Sequence, residues 1–78
     1  DAAGYEKYDI VTANILADVL VHLTPVIVHH LKKGGIYITS GILDVKESVV
    51  VEAVEKAGLE VLEVTRQGEW VSVTARKN

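Results

Sequence analysis

A repeated change of period limits this chain to few folds. Tyr8 to Ala13 is a short β-branched run, and after Asn14 apolar residues recur at helical spacing: Leu16, Val19, Leu20, Leu23, Ile27 and Leu31. The pattern then repeats. Ile36 to Ser40 reads as a second strand, and a second helical pattern carries Val49, Val50, Ala53, Val54 and Ala57 inward. Leu59 to Gln67 and Trp70 to Arg76 complete the order β-α-β-α-β-β, with Gly68-Glu69 as a tight hairpin turn. Strands that alternate with helices imply a parallel sheet with right-handed crossovers, to which the final hairpin adds one antiparallel strand.

Local signals refine this outline. Lys32-Lys33-Gly34-Gly35 ends the first helical pattern as a helix exit would, with cations near the negative end of the dipole and glycine for the left-handed residue. Pro25 inside that helix removes one backbone hydrogen bond and predicts a kink. Val21, Val26 and Val28 make the helix apolar nearly all round, which predicts burial on more than one side. Asp44-Val45-Lys46-Glu47 resembles a capping box, and Gly58 stops the helix it opens. Alternation slips near Val61-Leu62, as at a bulge, while Val71, Val73 and Ala75 share one face of the last strand.

Composition sets the scale. The chain has 78 residues, 49% of them hydrophobic, and no Cys. A domain this small buries only roughly 60% of its unfolded surface, so this much apolar surface points either to a Val-rich core or to a face made for a missing partner. In the predicted sheet the apolar first strand is an open edge, which complete proteins avoid; something should pair with it. Net charge is −3, and the only adjacent basic pairs are Lys32-Lys33 and Arg76-Lys77, so direct nucleic-acid binding is not expected. No apolar run reaches the ~18 residues of a membrane span. Asp1 to Tyr5 lacks a signal-peptide pattern, and there is no Met. A partial domain covering 1–78, cut from a cytoplasmic protein, fits these features.

Ligands of open α/β sheets bind beyond the carboxyl ends of the parallel strands. Three loops then share one rim: Asn14-Ile15-Leu16-Ala17, Ser40-Gly41-Ile42-Leu43 and Gln67-Gly68-Glu69-Trp70. Asn14 has two readings. Its side chain can accept a hydrogen bond from an amine and donate another, or it can cap the helix that follows. Ser40-Gly41 reads as an ordinary strand-exit turn, and Trp70 as a packing residue of the hairpin. His29 and His30 are placed on different sides of the helix, and His22 lies about two turns, roughly 10 Å, from His29. With no Cys and no carboxylate at ligand spacing, no metal site is expected. No glycine-rich phosphate loop or nucleophile elbow is visible.

Tyr8-Asp9-Ile10-Val11-Thr12-Ala13-Asn14-Ile15-Leu16-Ala17 resembles the strand and Asn-x-Leu-Ala motif of PrmA-type ribosomal-protein lysine methyltransferases. Leu31-Lys32-Lys33-Gly34-Gly35 is similar to the family's "L-K-P-G-G" segment, with Lys33 in place of Pro. Ser40-Gly41-Ile42-Leu43, Glu69-Trp70 and the closing Arg76-Lys77-Asn78 extend the resemblance over essentially the whole chain. It implies a Rossmann-like S-adenosylmethionine methyltransferase sheet of which this chain is the C-terminal half, its last four strands and two helices. It also implies transfer of methyl groups to amines of the eleventh protein of the large ribosomal subunit.

By the same resemblance, Asn14, Ile15 and Leu16 contact the cofactor, and Asn14 orients the incoming amine beside the methyl group. Ala17, Ser40, Gly41 and Ile42 form the substrate-side rim. The family's glycine-rich loop, cofactor-holding acidic residue and substrate-recognition domain lie earlier in its chain and are absent here. The expected partner is therefore the N-terminal half of the same domain, and the chain alone is expected to be inactive. Two other readings compete: a related methyltransferase acting on glutamine, a small amine or RNA, and an α/β interaction module without chemistry.

Overall fold

A computed structural model describes residues 8–78; the Asp1–Tyr5 segment lies outside the described residues. The elements are β1 (Tyr8–Ala13), α1 (Ala17–His29), β2 (Leu31–Leu43), a 3-10 turn (Asp44–Lys46), α2 (Glu47–Lys56), β3 (Leu59–Gln67) and β4 (Trp70–Lys77). The predicted order holds. They form one four-stranded sheet in the order β1-β2-β4-β3. β1 and β2 are parallel, and β4 is antiparallel to both β2 and β3. β3 therefore runs the same way as β1 and β2 but is not their neighbour, because the hairpin folds β4 back into the gap.

Both crossovers advance in the same direction across the sheet, so right-handedness puts α1 and α2 on one face. The core lies there. Leu20 of α1 and Val50 and Val54 of α2 are fully buried against Tyr37, Ile42, Val71, Val73 and Ala75. The registers Val11↔Tyr37, Ala13↔Thr39, Thr39↔Val73 and Tyr37↔Ala75 fix which residues share that face. Tyr37 hydroxyl and Thr24 Oγ1 lie 3.3 Å apart in this core, and Thr24 also donates to Leu20 O at 2.8 Å. Burial pushes the Tyr37 phenol up, with the Thr24 hydrogen bond opposing it.

Several local expectations need correction. α1 ends at His29, not at the glycines, and Lys32-Lys33-Gly34-Gly35 lies within β2. Pairing jumps from Tyr8↔Leu31 to Ile10↔Ile36, so these residues form a detour in β2. Gly34 takes φ +84° there, and a Cβ on Gly35 would stand 2.8 Å from Lys32 O. The cation at the end of α1 is instead Lys77, whose Nζ donates to Val28 O and Leu31 O at 2.8 Å each. His30 lies past the helix end, so the His29 and His30 rings meet edge-on with centroids 5.5 Å apart.

Asp44 makes no capping hydrogen bond: Asp44–Lys46 forms a 3-10 turn, and α2 starts at Glu47 with Lys46 at its N-cap. Val49 of α2 is exposed rather than inward. At the far end of α2, Gly58 does take the left-handed conformation, φ +93°. The slip near Val61-Leu62 is a register shift between Val61 and Glu63, and Gly68-Glu69 is the two-residue turn.

Apolar side chains remain exposed on β1 and along α1. Ile10 on β1 is 62% exposed, and Leu16, Val19, Leu23 and Val26 project from α1. That helix buries Ala17, Leu20 and Thr24 on one side only, whereas its sequence predicts burial on more than one.

Candidate functional site

The carboxyl ends of β1, β2 and β3 converge on one rim, as the sheet rule requires. β1 stops at Ala13. The first turn of α1 closes through Leu20 N–H donating to Leu16 O at 2.9 Å, and the helix N-cap is Leu16 without a side-chain hydrogen bond. Asn14 therefore does not cap α1. Its side chain stands at the mouth of a cleft of about 730 Å³ lined by Asn14, Ile15, Leu16, Val19, Gly41 and Trp70.

β2 contributes through a bulge. Pairing with β4 slips by one residue between Thr39↔Val73 and Ile42↔Val71, and Gly41 sits in the slip with φ +71°. Ser40-Gly41 is thus not a strand exit; the strand continues to Leu43. A Cβ on Gly41 would run into Asn14 Oδ1, with Cγ only 3.2 Å away. The two loops touch at this point. The β3–β4 hairpin joins them: Leu43 pairs with Trp70, and Asp44 N–H donates to Glu69 O at 2.9 Å.

The rim gathers most of the residues expected from the sequence. Asn14, Ile15, Leu16 and Gly41 line the main cleft. Ala17 lines an adjoining recess of about 180 Å³ with Asp18, Lys46 and Trp70, where Lys46 and Asp18 pair at 3.5 Å. Ser40 lines another recess of about 210 Å³, on the Gln67–Ser72 side. Ile42 does not reach the rim. The bulge at Gly41 resets the alternation so that Ile42 pairs with Val71 on the core face, where it is fully buried.

Val19 and Trp70 line the cleft without having been singled out for it. Trp70, read from sequence as a packing residue, is 54% exposed. Its place beside the strictly alternating Val71, Val73 and Ala75 was the available signal, because the opposite phase of such a strand points away from the core. Among the described residues no group of three or more His, Cys, Asp and Glu could hold a metal ion. No helix there is long and apolar enough to cross a membrane.

The arrangement offers chemistry of one kind. One amide side chain faces an open, largely apolar cleft with an aromatic side chain on its rim. Such a site can orient a polar atom against an apolar wall, and among the described residues its lining holds no carboxylate, imidazole or thiol to act as base or nucleophile.

The family model for "Ribosomal protein L11 methyltransferase (PrmA)" matches residues 1–78. A ribosomal protein L11 methyltransferase from Agathobacter rectalis is 62% identical over 74 residues, covering 95% of this chain and 23% of that protein. Its counterpart from Lachnospira eligens is 56% identical over 78 residues, 99% of this chain and 24% of that protein. The chain thus spans about a quarter of the length of these curated relatives. The crystal structure of a ribosomal protein L11 methylase from Lactobacillus delbrueckii subsp. bulgaricus superposes with a TM-score of 0.88 at 31% identity, covering 99% of this chain and 40% of that one. The M1.HpyAVI–SAM complex, at 11% identity, shares the fold with a TM-score of 0.79 over 95% of this chain and 46% of that one.

Proposed function

The chain belongs to the ribosomal protein L11 methyltransferase (PrmA) family, and from that membership we propose that it supplies the amine-orienting rim of an S-adenosylmethionine-dependent protein methyltransferase. The observation that carries this reading is Asn14, freed from any capping role and standing over a cleft that its neighbours make apolar. The proposed substrate is a lysine amine of ribosomal protein L11, and the proposed place of action is the cytoplasm.

The cleft fits one end of the cofactor. Ile15, Leu16, Val19 and Trp70 suit the apolar surroundings of a sulfonium-bound methyl group, while among the described residues no carboxylate lines the cleft to receive the ribose hydroxyls. The grip on the cofactor's polar parts is assigned, by the family resemblance, to the N-terminal half of the same domain. S-adenosylmethionine, when bound, supplies an electrophilic methyl group. Asn14 accepts a hydrogen bond from the amine through its side-chain carbonyl and so turns the nitrogen lone pair toward the methyl. The apolar walls disfavour the ammonium form, which lowers the lysine pKa and leaves the neutral amine without a dedicated base.

The missing segment also has a place to dock. β1 pairs only with β2 among the described residues, which leaves its outer flank open, and Ile10, in the phase opposite to the core-facing Val11, is exposed there. We assign that flank to the N-terminal half of the same domain, which would add a strand beside β1 and make 1–78 a partial domain.

The test is methyl transfer by the full-length protein. Incubated with S-adenosylmethionine and L11, it should place methyl groups on lysine side-chain amines, read by mass spectrometry. Methylation of glutamine, of a free amine or of RNA, with L11 untouched, would overturn the assignment.

A further inference from the structure

We propose that Gly41 is the positioning residue for the Asn14 side chain: lacking a Cβ at a left-handed bulge, it leaves the space that the Asn14 amide occupies at the mouth of the cleft. The inference rests on the reading of Asn14 given above and adds a second residue to it. Among the described residues, four glycines have positive φ: Gly34, Gly41, Gly58 and Gly68. At Gly34, Gly58 and Gly68 an added Cβ would meet nothing within 4 Å, so the backbone conformation alone accounts for glycine there.

Gly41 differs. Its added Cβ would overlap Asn14 Oδ1 and stand 3.2 Å from Cγ and 3.9 Å from Nδ2. The amide thus turns its oxygen toward residue 41. To restore ordinary contact with a methyl group, that oxygen would have to move by roughly an ångström or more. A misplacement of about 1 Å in an orienting group can cost about 100-fold in rate. Gly41 also lines both the cleft and the recesses beside it, so the displaced amide would be driven out of a shared corner.

The experiment compares three substitutions in the full-length protein: Gly41→Ala, Asn14→Ala and both together. Gly58→Ala, remote from the rim, serves as the control for positive φ. Gly41→Ala should lower kcat about 100-fold while KM for L11 changes by less than about threefold. Gly58→Ala should lower the melting temperature similarly yet leave kcat within about twofold. In the Asn14→Ala background, Gly41→Ala should change kcat by less than about twofold, because the group it displaces is gone. An undiminished effect of Gly41→Ala in that background would overturn the proposal.

Asn14→Ala with normal turnover would defeat the catalytic reading of Asn14 and not the positioning of its amide. The side-chain NH₂ resonances of Asn14 decide that separately: they should shift in Gly41→Ala, and unchanged resonances would overturn the proposal. If Gly41→Ala does not fold, the double variant settles the cause. Recovered folding places the obstruction at the Asn14 amide, and continued failure overturns the contact as the reason for glycine.

Discussion

Replacing Lys77 by Met tests how the end of α1 is held. Lys77 is the last residue of β4, yet its ammonium donates to Val28 O in the last turn of α1 and to Leu31 O at the start of β2, each at 2.8 Å. Met keeps most of the apolar stem and removes the charge and the donors. A hydrogen bond from a charged group contributes about 1.5–3 kcal/mol net. A cation at a helix C-terminus adds about 0.3–1 kcal/mol. The side chain is part-buried, so water can reach the released carbonyls and the low end of both ranges applies. Counting the two bonds of the single ammonium as one contribution, since water can replace it at both carbonyls, the expected loss is about 2 kcal/mol. With a urea m-value of about 1 kcal/mol/M for a small domain, the midpoint should fall by about 2 M at constant m. Lys32→Met is the comparison, because among the described residues its ammonium meets only the exposed Asp9 carboxylate at 3.5 Å, and the change should cost less than about 1 kcal/mol. Equal losses in the two variants, followed by circular dichroism through urea titration, would refute the reasoning.

Three further outcomes follow from the core, its titration and the open edge. Leu20→Ala removes a fully buried side chain from the α1–sheet contact and should cost about 2–5 kcal/mol in the same titration. Tyr37 has its phenol raised by burial, so in the native state it holds its proton at pH values where the unfolded chain has lost it. That contribution is complete below the unfolded value of 10.0 and is lost as pH rises through the folded one. Tyr37→Phe should therefore cost less than about 1 kcal/mol at neutral pH and flatten the fall in stability above pH 10, measured by denaturation across pH. In the isolated chain, amide hydrogen exchange at Asp9 and Val11, whose N–H groups point away from β2 because Tyr8 N–H donates into it, should be faster than at Ile38 in β2, and should slow in the full-length protein; equal rates in both would contradict the missing neighbour.

The parts of this fold that depend on short-range chemistry were legible in the sequence. The Gly68-Glu69 turn, the slip at Val61-Leu62 and the buried phase of Val71, Val73 and Ala75 are written in neighbouring residues. The insertion of β4 between β2 and β3 is not, because it depends on which strand the hairpin finds across the sheet. Lys32-Lys33-Gly34-Gly35 carried true signals of a chain break, but Tyr8 pairing with Leu31 made that break a detour within β2 instead of a helix end. At the site, the loop after β1 was legible because Asn14 follows a clear strand. The bulge at Gly41 was hidden: one extra residue against β4 returned Ile42 to the core and brought residue 41 against Asn14. The position of Trp70 at the cleft likewise depends on Leu43 as its cross-strand partner.

The most direct test of the central claim is single-turnover methyl transfer to L11 by full-length Asn14→Ala at saturating S-adenosylmethionine. Removing the orienting amide should slow the transfer step by about 100-fold or more. The melting temperature should stay near that of the unaltered protein, since Asn14 neither caps α1 nor lies in the core, and saturating cofactor keeps any change in its affinity out of the rate. An unchanged transfer rate would contradict the account.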